Sequence, residues 1–236
     1  MERLEGRYFF VSDVHLGQGG EKEKIREKMF LEFLEAIPED ARALFLLGDI
    51  FDFWVEYKDV VPRGYVRVLS KLAQIADSGC EVFFFKGNHD YWTTDYFEKE
   101  LGVHVVQEPY MTVTLDGQRI CMGHGDVLGC DSFKASLTFS LIRNRFLIGF
   151  LKALPSSWVF ALARKWASKS RKAGSDYHFD IDNSYIRTFA EDLGRREKID
   201  RFIFGHFHCE SHTLLSTGAR MDILGDWYEK PSYLNL

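Results

Sequence analysis

The sequence has few cysteines, no long apolar run and no excess of basic residues, and each shortage excludes a class of protein. Its four cysteines are scattered and form no CxxC pair, so we expect thiols in a reducing compartment instead of a disulfide framework. The 236 residues carry a formal net charge of -5, which gives no overall basic field for binding bulk nucleic acid. We find no internal repeat and no low-complexity tract.

Nothing in the chain predicts a segment that enters a membrane. The charged start of the sequence reaches Asp13 before any apolar stretch is long enough for a signal peptide. The most apolar helical stretch, residues 146–163, is broken by Lys152, Pro155 and two serines, which argues against a spanning helix. With 46% hydrophobic residues, the chain can bury one sizeable core, and we expect a cytoplasmic protein.

Short apolar runs and helical patterns alternate in the first third of the chain. The predicted strands are 8–12, 43–47 and 81–85, and the predicted helices are 21–36 and 64–78. This βαβαβ order predicts an α/β fold with buried, largely parallel strands and helices on the faces. Later runs predict five further strands, with a hairpin at Asp116-Gly117: 110–114, 119–123, 201–205, 212–216 and 221–225.

One segment differs from the rest in charge. Residues 132–175 contain nine of the 30 Lys and Arg residues and none of the 35 Asp and Glu residues, and they are rich in Phe, Leu, Ile and Trp. We interpret the segment as basic amphipathic helices inserted into an acidic domain. An ordinary helical subdomain with a solvated basic face would have the same composition.

Polar side chains follow five of the predicted strands. In a largely parallel sheet the carboxyl ends of the strands lie on one edge, where ligands bind, so we expect these clusters to converge on one crevice. We expect Asp90, within one cluster, to be a local hydrogen-bonding anchor. The clusters are Asp13-Val14-His15, Gly48-Asp49 with Asp52, Asn88-His89-Asp90, His124-Gly125-Asp126 and His206-Phe207-His208.

The residue types in these clusters indicate a metal site. Imidazole, carboxylate and carboxamide groups without thiolate suit Mn, Fe, Zn or Co. Seven ligands exceed the needs of one ion, but two ions that share a bridging carboxylate would use them and could clamp a phosphoryl group. The i, i+2 spacing of Asp13 with His15 and of His206 with His208 predicts that each pair lies on one side of an extended segment. Alone, the D-x-H, G-D and H-G-D clusters are weak signals and Gly205-His206-Phe207-His208 after an apolar run is a moderate one. All five in order, each after a predicted strand, favour a metal site strongly.

The ordered pattern D-x-H, G-D, G-N-H-D, H and G-H-x-H resembles that of the calcineurin-like metallophosphoesterase superfamily. The motifs run from Asp13 to His208 and cover most of the chain. The resemblance implies a four-layer α/β/β/α metallophosphoesterase sandwich over residues 1–236, with an inserted helical cap at about 132–180. It also implies two divalent metal ions, with Mn²⁺ as the usual metal and Fe or Zn as alternatives.

The resemblance also implies a role for each residue of the pattern. Asp49 would bridge the two ions. His89 would not be a ligand but would stand over the phosphate as a proton donor or electrostatic stabiliser, and Asp52 would orient it. The other ligands would be Asp13, His15 and His208 for the first ion and Asn88, His124 and His206 for the second.

Within the superfamily, the chain is similar to the UDP-2,3-diacylglucosamine pyrophosphatases of lipid A biosynthesis. The similarity lies in the length, in "FVSDVHLG" and "LLGDIFDFW", and in the long insertion between His124 and Gly205. These enzymes release UMP and lipid X, so the resemblance implies a UDP-linked diacylated lipid as substrate and peripheral contact with the inner membrane. Their best-known form has Arg at the position of His89 and Glu at that of Asp52.

In that branch, the cap holds the acyl chains and the glucosamine phosphate. Its position implies that a set of polar residues contacts the substrate: Asp131, Ser168, Lys169, Arg171 and Lys172. Apolar residues of the same segment could form the groove for the chains: Phe139, Leu141, Phe146, Leu147, Phe150, Leu151, Trp158 and Phe160.

Two other functions stay open. A metallophosphoesterase could act on another soluble or nucleic-acid phosphoester, with the basic segment along a phosphate backbone and Trp158 and Trp166 stacking on bases. The acidic overall charge disfavours nucleic acid. A non-catalytic metal-binding module is also conceivable, but no ligand position holds an inert residue. The sequence indicates no oligomeric state.

Overall fold

The computed structural model describes residues 4–129, 144–163, 165 and 179–236. The strands are β1 Tyr8–Val11, β2 Ala43–Leu46, β3 Glu81–Phe85, β4 His104–Val106, β5 Tyr110–Leu115, β6 Gln118–Gly123, β7 Arg201–Phe204, β8 Ser211–Leu214, β9 Arg220–Ile223 and β10 Tyr233–Asn235. The helices are α1 Glu21–Ala36, α2 Val66–Asp77, α3 Tyr96–Leu101, α4 Arg145–Ala153, α5 at 156–163 and α6 Tyr185–Arg196.

The strands form two five-stranded sheets, in the orders β10-β1-β2-β3-β4 and β5-β6-β7-β9-β8. The inner pairs of the first sheet, from β1 to β4, are parallel, as are β6–β7 and β7–β9 in the second. The predicted parallel strands are therefore divided between two sheets. The predicted hairpin joins β5 and β6, and both turn residues, Asp116 and Gly117, have positive φ, as a two-residue type I′ turn requires.

The alternation of side chains along β1 shows how the first sheet is covered on both faces. Phe9 packs against Phe33 of α1, with ring centroids 6.4 Å apart, in a core that includes residues of α2. Phe10 points to the opposite face and packs with Phe45 and with Ile203 of the second sheet. Because neighbouring residues of a strand point to opposite faces, one helical layer and one sheet–sheet core share the same strands.

The outer face of the second sheet is covered by α6. Ile186 and Ala190 of this helix pack against Phe202 and Phe204 of β7, and Ser184 accepts a hydrogen bond from the Arg187 N–H at the start of the helix, as an N-cap does. The order of layers is thus helices, sheet, sheet and helix. This is the α/β/β/α sandwich that the resemblance implies.

The eight predicted strands and the two predicted helices are confirmed within two residues at each end. The structure adds α3, β4, α6 and β10, and β10 completes the first sheet beside β1. The predicted cap at about 132–180 lies mostly outside the described residues, and its bounds stay a prediction; α4 and α5 belong to its described part. Among the described residues, no helix combines the length and the apolar character needed to cross a bilayer.

Candidate metal centre

The five polar clusters meet where the carboxyl ends of β1, β2 and β3 lie beside those of β6 and β7. Their side chains form compact groups in which one ligand atom from each residue lies within 4.8 Å of the others. The first group joins strand ends of both sheets, and so does the second. The first group is Asp13, His15 and His208, and the second group is Asp49, His124 and His206.

Asp49 connects the two groups. Its Oδ2 lies 3.8 Å from His15 Nε2 and 3.4 Å from His124 Nε2. Asn88 Oδ1 lies 3.4 Å from the same His124 nitrogen, which places Asn88 with the second group. The structure therefore brings all seven predicted ligands together in the division that the resemblance implies. Their role as ligands stays a prediction.

The backbone at these positions is unusual. Within the described part of the chain, seven residues other than glycine have positive φ, and five of them are predicted ligands: Asp13, His15, Asp49, His206 and His208. Such conformations cost about 1–3 kcal/mol each and persist only where the surrounding structure imposes them. The prediction that the two i, i+2 pairs are extended is therefore wrong. Tight turns set the direction of these side chains. The turn at 206–208 places His208 in the first group and His206 in the second.

Asp90 holds two of the loops together. Its carboxylate accepts hydrogen bonds from the N–H groups of Gly87, Asp49, Ile50 and Phe51, at 2.9–3.3 Å. Burial and the nearby Asp49 raise the pKa of Asp90 to about 7. The expected anchor is confirmed, and it joins the loop after β2 to the loop after β3.

Two glycines let the loops approach each other. A Cβ atom on Gly87 would collide with the Asp49 carboxylate, and one on Gly205 would lie 2.6 Å from Asp13 Oδ2. A side chain at either position would therefore displace a predicted ligand.

The first group contains polar atoms that the protein alone leaves unsatisfied. Asp13 Oδ1 and His15 Nε2 lie 3.7 Å apart, and both are buried without a hydrogen-bond partner in the described part of the chain. Buried polar atoms without partners are costly, and a cation between them would satisfy both. Because the donors are oxygen and imidazole nitrogen, the residues fit a divalent metal such as Mn²⁺, Fe²⁺ or Zn²⁺.

The carboxylates and imidazoles of the centre stabilise each other's charged forms. Burial alone would raise the pKa values of Asp13 and Asp49, but the surrounding imidazoles lower both well below the usual range. Burial opposes protonation of His124, yet Asp49 raises its pKa to about 10, and Asp13 and Asp52 likewise raise that of His15. Before a metal binds, the two carboxylates are charged and both histidines hold protons.

His89 is oriented differently from the prediction. Its Nδ1 lies 2.8 Å from the backbone carbonyl oxygen of Asp52, whereas the Asp52 carboxylate lies 3.8 Å from His89 Nδ1 and 3.6 Å from His15 Nδ1. The backbone carbonyl of Asp52 thus orients the His89 ring, and the Asp52 carboxylate lies between His89 and His15. Because Nδ1–H donates to the carbonyl, Nε2 is the nitrogen available for proton transfer. Burial lowers the pKa of His89.

An apolar cavity of about 250 Å³ adjoins the centre. Asn88 and His89 form part of its wall, and residues from α4 and α5 close the other side. Sequence reasoning missed its aromatic members, although they come directly after the motifs G-D-I-F-D and G-N-H-D. The other lining residues are Phe53, Tyr91, Trp92, Leu147, Leu151, Val159, Leu162 and Ala163.

The predicted groove residues of the cap divide into three sets. Leu147 and Leu151 line the cavity, and the Phe160 ring contacts Phe53 at 5.9 Å. Phe146 and Trp158, at 91% and 68% exposure, and Phe150 are instead exposed and do not line this cavity, so their assignment to a groove stays a prediction. The other predicted residues lie outside the described part of the chain: Phe139 and Leu141 for the groove, and Asp131, Ser168, Lys169, Arg171 and Lys172 for substrate contacts.

Metal binding to this centre should release protons. His15 and His124 hold protons in the metal-free protein, and a ligand nitrogen must lose its proton to coordinate a metal. We expect roughly one to two protons to be released per chain at neutral pH. Calorimetric titration of Mn²⁺ in buffers of different ionisation enthalpy measures this number, and the apparent affinity should fall as the pH is lowered. An enthalpy that does not vary with the buffer would contradict the charge assignment.

Comparison with known proteins agrees with this geometry. Residues 6–210 match the calcineurin-like phosphoesterase family. The chain is 37% identical to the UDP-2,3-diacylglucosamine hydrolase of Porphyromonas gingivalis, over 98% of this chain and 94% of the relative. It is 32% identical to the enzyme of that name from Shewanella halifaxensis, again over 98% and 94%, and 31% identical to the one from Xanthomonas axonopodis pv. citri, over 96% and 94%. The chain belongs to the calcineurin-like phosphoesterase family.

Proposed function

We propose that this protein hydrolyses UDP-2,3-diacylglucosamine, cleaving the pyrophosphate to give UMP and lipid X. The observation that carries this proposal is the apolar cavity that shares Asn88 and His89 with the metal centre. A diacylated sugar diphosphate needs an apolar compartment and a phosphate site within the length of one molecule. Similarity to hydrolases with this substrate in their names, over nearly the whole chain, supports the same function.

The cavity suits an acyl chain because of its lining. Phe53 and Trp92 meet edge to face, with ring centroids 5.6 Å apart, and Leu147 and Leu151 of α4 lie opposite. Each methylene buried in such a surrounding contributes about 0.8 kcal/mol. Substrate chains would therefore add affinity with length until the cavity is full.

We infer that the centre holds two divalent metal ions, whose ligands would be carboxylates, a carboxamide and imidazoles. We choose Mn²⁺ over Fe or Zn because it is the usual metal of the hydrolases that the chain resembles. Such ions, when bound, polarise phosphoryl oxygens and lower the pKa of a water molecule. Asp49 would contact both ions. The other ligands would be Asp13, His15 and His208 on one side and Asn88, His124 and His206 on the other.

His89 would assist departure of the leaving phosphate. Hydrolysis adds water at one phosphorus and breaks its bond to the bridging oxygen, which gains negative charge. Burial lowers the pKa of His89 in the free protein, but a pyrophosphate anion beside it would favour the protonated imidazole. With Nδ1 held by the Asp52 carbonyl, Nε2–H would then donate to the leaving oxygen.

We also propose that the enzyme is cytoplasmic and contacts the cytoplasmic face of the inner membrane. Helices α4 and α5 carry the exposed apolar residues Phe146, Phe150, Trp158 and Leu162, and the sequence around them is basic without acidic residues. A surface that combines exposed apolar side chains with positive charge suits an anionic bilayer interface. The lipid substrate would enter the cavity from that interface.

The purified protein with Mn²⁺ should release UMP from UDP-2,3-diacylglucosamine, and Asp49→Asn should abolish this turnover because it removes the shared charge. Release of UMP can be followed by chromatography, with bis-p-nitrophenyl phosphate as a substrate without acyl chains. Turnover of bis-p-nitrophenyl phosphate alone would favour the alternative phosphoesterase function.

A cavity variant makes this assay specific for the lipid. Leu151→Glu should raise KM for the diacylated substrate roughly tenfold or more, as the loss of about two methylene contacts would. Turnover of bis-p-nitrophenyl phosphate should change little. Leu214→Glu, at an exposed position of β8 that does not line the cavity, is the matched control and should leave both activities near wild type. Equal effects of the two variants would contradict the use of the cavity.

His89→Gln should lower kcat by roughly 10²–10⁴-fold while the bound metal stays at two ions per chain. The reason is that His89 is proposed to transfer a proton without coordinating a metal. Elemental analysis of the variant, done beside the kinetics, separates the two roles. His15, Asp52 and His89 also lie close enough to form a metal group, so loss of one ion in the variant would make His89 a ligand.

A further inference from the structure

We propose that Asp226 is a positioning residue for the metal site formed by Asp13, His15 and His208; this inference depends on the metal sites of the proposed function. Asp226 Oδ2 lies 3.2 Å from His208 Nδ1. The other nitrogen of the ring, Nε2, lies 3.7 Å from Asp13 Oδ1. Asp226 thus lies on the side of His208 that faces away from the site.

The contact decides which nitrogen of His208 can bind a metal. A carboxylate accepts a hydrogen bond, so Nδ1 of a neutral His208 carries the proton and Nε2 carries the lone pair. The lone pair then points toward Asp13 and His15. A carboxylate that accepts from the outer nitrogen also fixes the orientation of a ligating ring and makes the ring a stronger donor.

Asp226 can orient His208 because it is itself held in place. Its second oxygen, Oδ1, accepts a hydrogen bond from the Tyr228 N–H at 3.1 Å. The next residue, Trp227, is fully buried and packs against Phe30 and Phe33 of α1 at 5.4 and 5.6 Å. The turn after β9 is therefore anchored in the core, and one oxygen of Asp226 fixes the turn while the other fixes His208.

The same turn also supports the loop that carries Asp13 and His15. The Tyr228 ring lies under the Arg26 guanidinium at 4.5 Å, and its hydroxyl accepts a hydrogen bond from Gln18 at 2.6 Å. Arg26 donates to the backbone carbonyl of His15 at 2.8 Å. The hydrogen bonds of Asp226 within the described residues all lie on this side of the centre, so we expect its effect to be confined to one metal.

Asp226→Asn tests this role without a change of shape. The single amide oxygen can serve the Tyr228 N–H or His208 but cannot serve both. In calorimetric titration of the metal-free protein with Mn²⁺, the wild type should bind two ions. In the variant, one of the two affinities should fall roughly 10–100-fold, as for other partners of metal ligands, while the second stays unchanged. Asp226→Glu, which keeps a carboxylate, should restore part of the loss.

Glu229→Gln is the matched control, because it removes the same charge from an exposed residue of the same segment. It should leave both affinities at the wild-type values, and its melting temperature and that of Asp226→Asn should equal that of the wild type. Unchanged affinities in Asp226→Asn, or an equal fall of both with a lower melting temperature, would overturn the proposal. The titration uses no lipid and is independent of the hydrolysis assay. If the wild type binds two ions but does not hydrolyse UDP-2,3-diacylglucosamine, only the proposed function is overturned.

Discussion

The Asp49 carboxylate is buried between the two sheets, and the rest of the site is arranged around it. It lies beside His15, which follows β1 of the first sheet, and His124, which follows β6 of the second. Its other oxygen accepts a hydrogen bond from the backbone N–H of His89 at 2.8 Å. A buried charge without partners would cost several kcal/mol. The imidazoles and the N–H group compensate part of this cost, and two divalent cations would compensate the rest.

The fold supplies the positions that this carboxylate needs. Stacked aromatic rings fill the space between the sheets, with Phe45 between Phe10 and Phe83 at 4.9 and 5.1 Å. The packing fixes the separation of the sheets and therefore the distance between their strand ends. Asp90 then ties the loops after β2 and β3 through four N–H groups. The positive φ values at the predicted ligands cost conformational free energy, and these contacts offset that cost by holding the loops in place.

Much of the fold and of the metal centre could be predicted from the sequence, because both depend on local patterns. Apolar runs that end in Asp, Asn or His mark a buried strand and the turn after it. Shorter elements could not be predicted, since β4 and β10 have only three residues each and show no clear alternation. The ordered motifs identified the seven residues that meet, yet the extended geometry assumed for Asp13 and His15 was wrong, because the turn depends on contacts from other loops.

Partners of the proposed ligands were harder to predict than the proposed ligands themselves. Asp52 was expected to steer His89 with its carboxylate, but the contact uses its carbonyl oxygen, which every residue type has. Asp226 lies 18 residues from His208, and no motif joins them. The aromatic cavity lining follows the motifs directly, but whether Phe53 and Trp92 face a cavity or the core depends on where α4 and α5 pack.

The most direct measurement is an anomalous difference map from crystals of the protein grown with Mn²⁺. The account predicts two peaks, one among Asp13, His15 and His208 and one among Asn88, His124 and His206, with Asp49 in contact with both. A single peak, or a peak among His15, Asp52 and His89, would contradict the division of the site on which the proposed function depends.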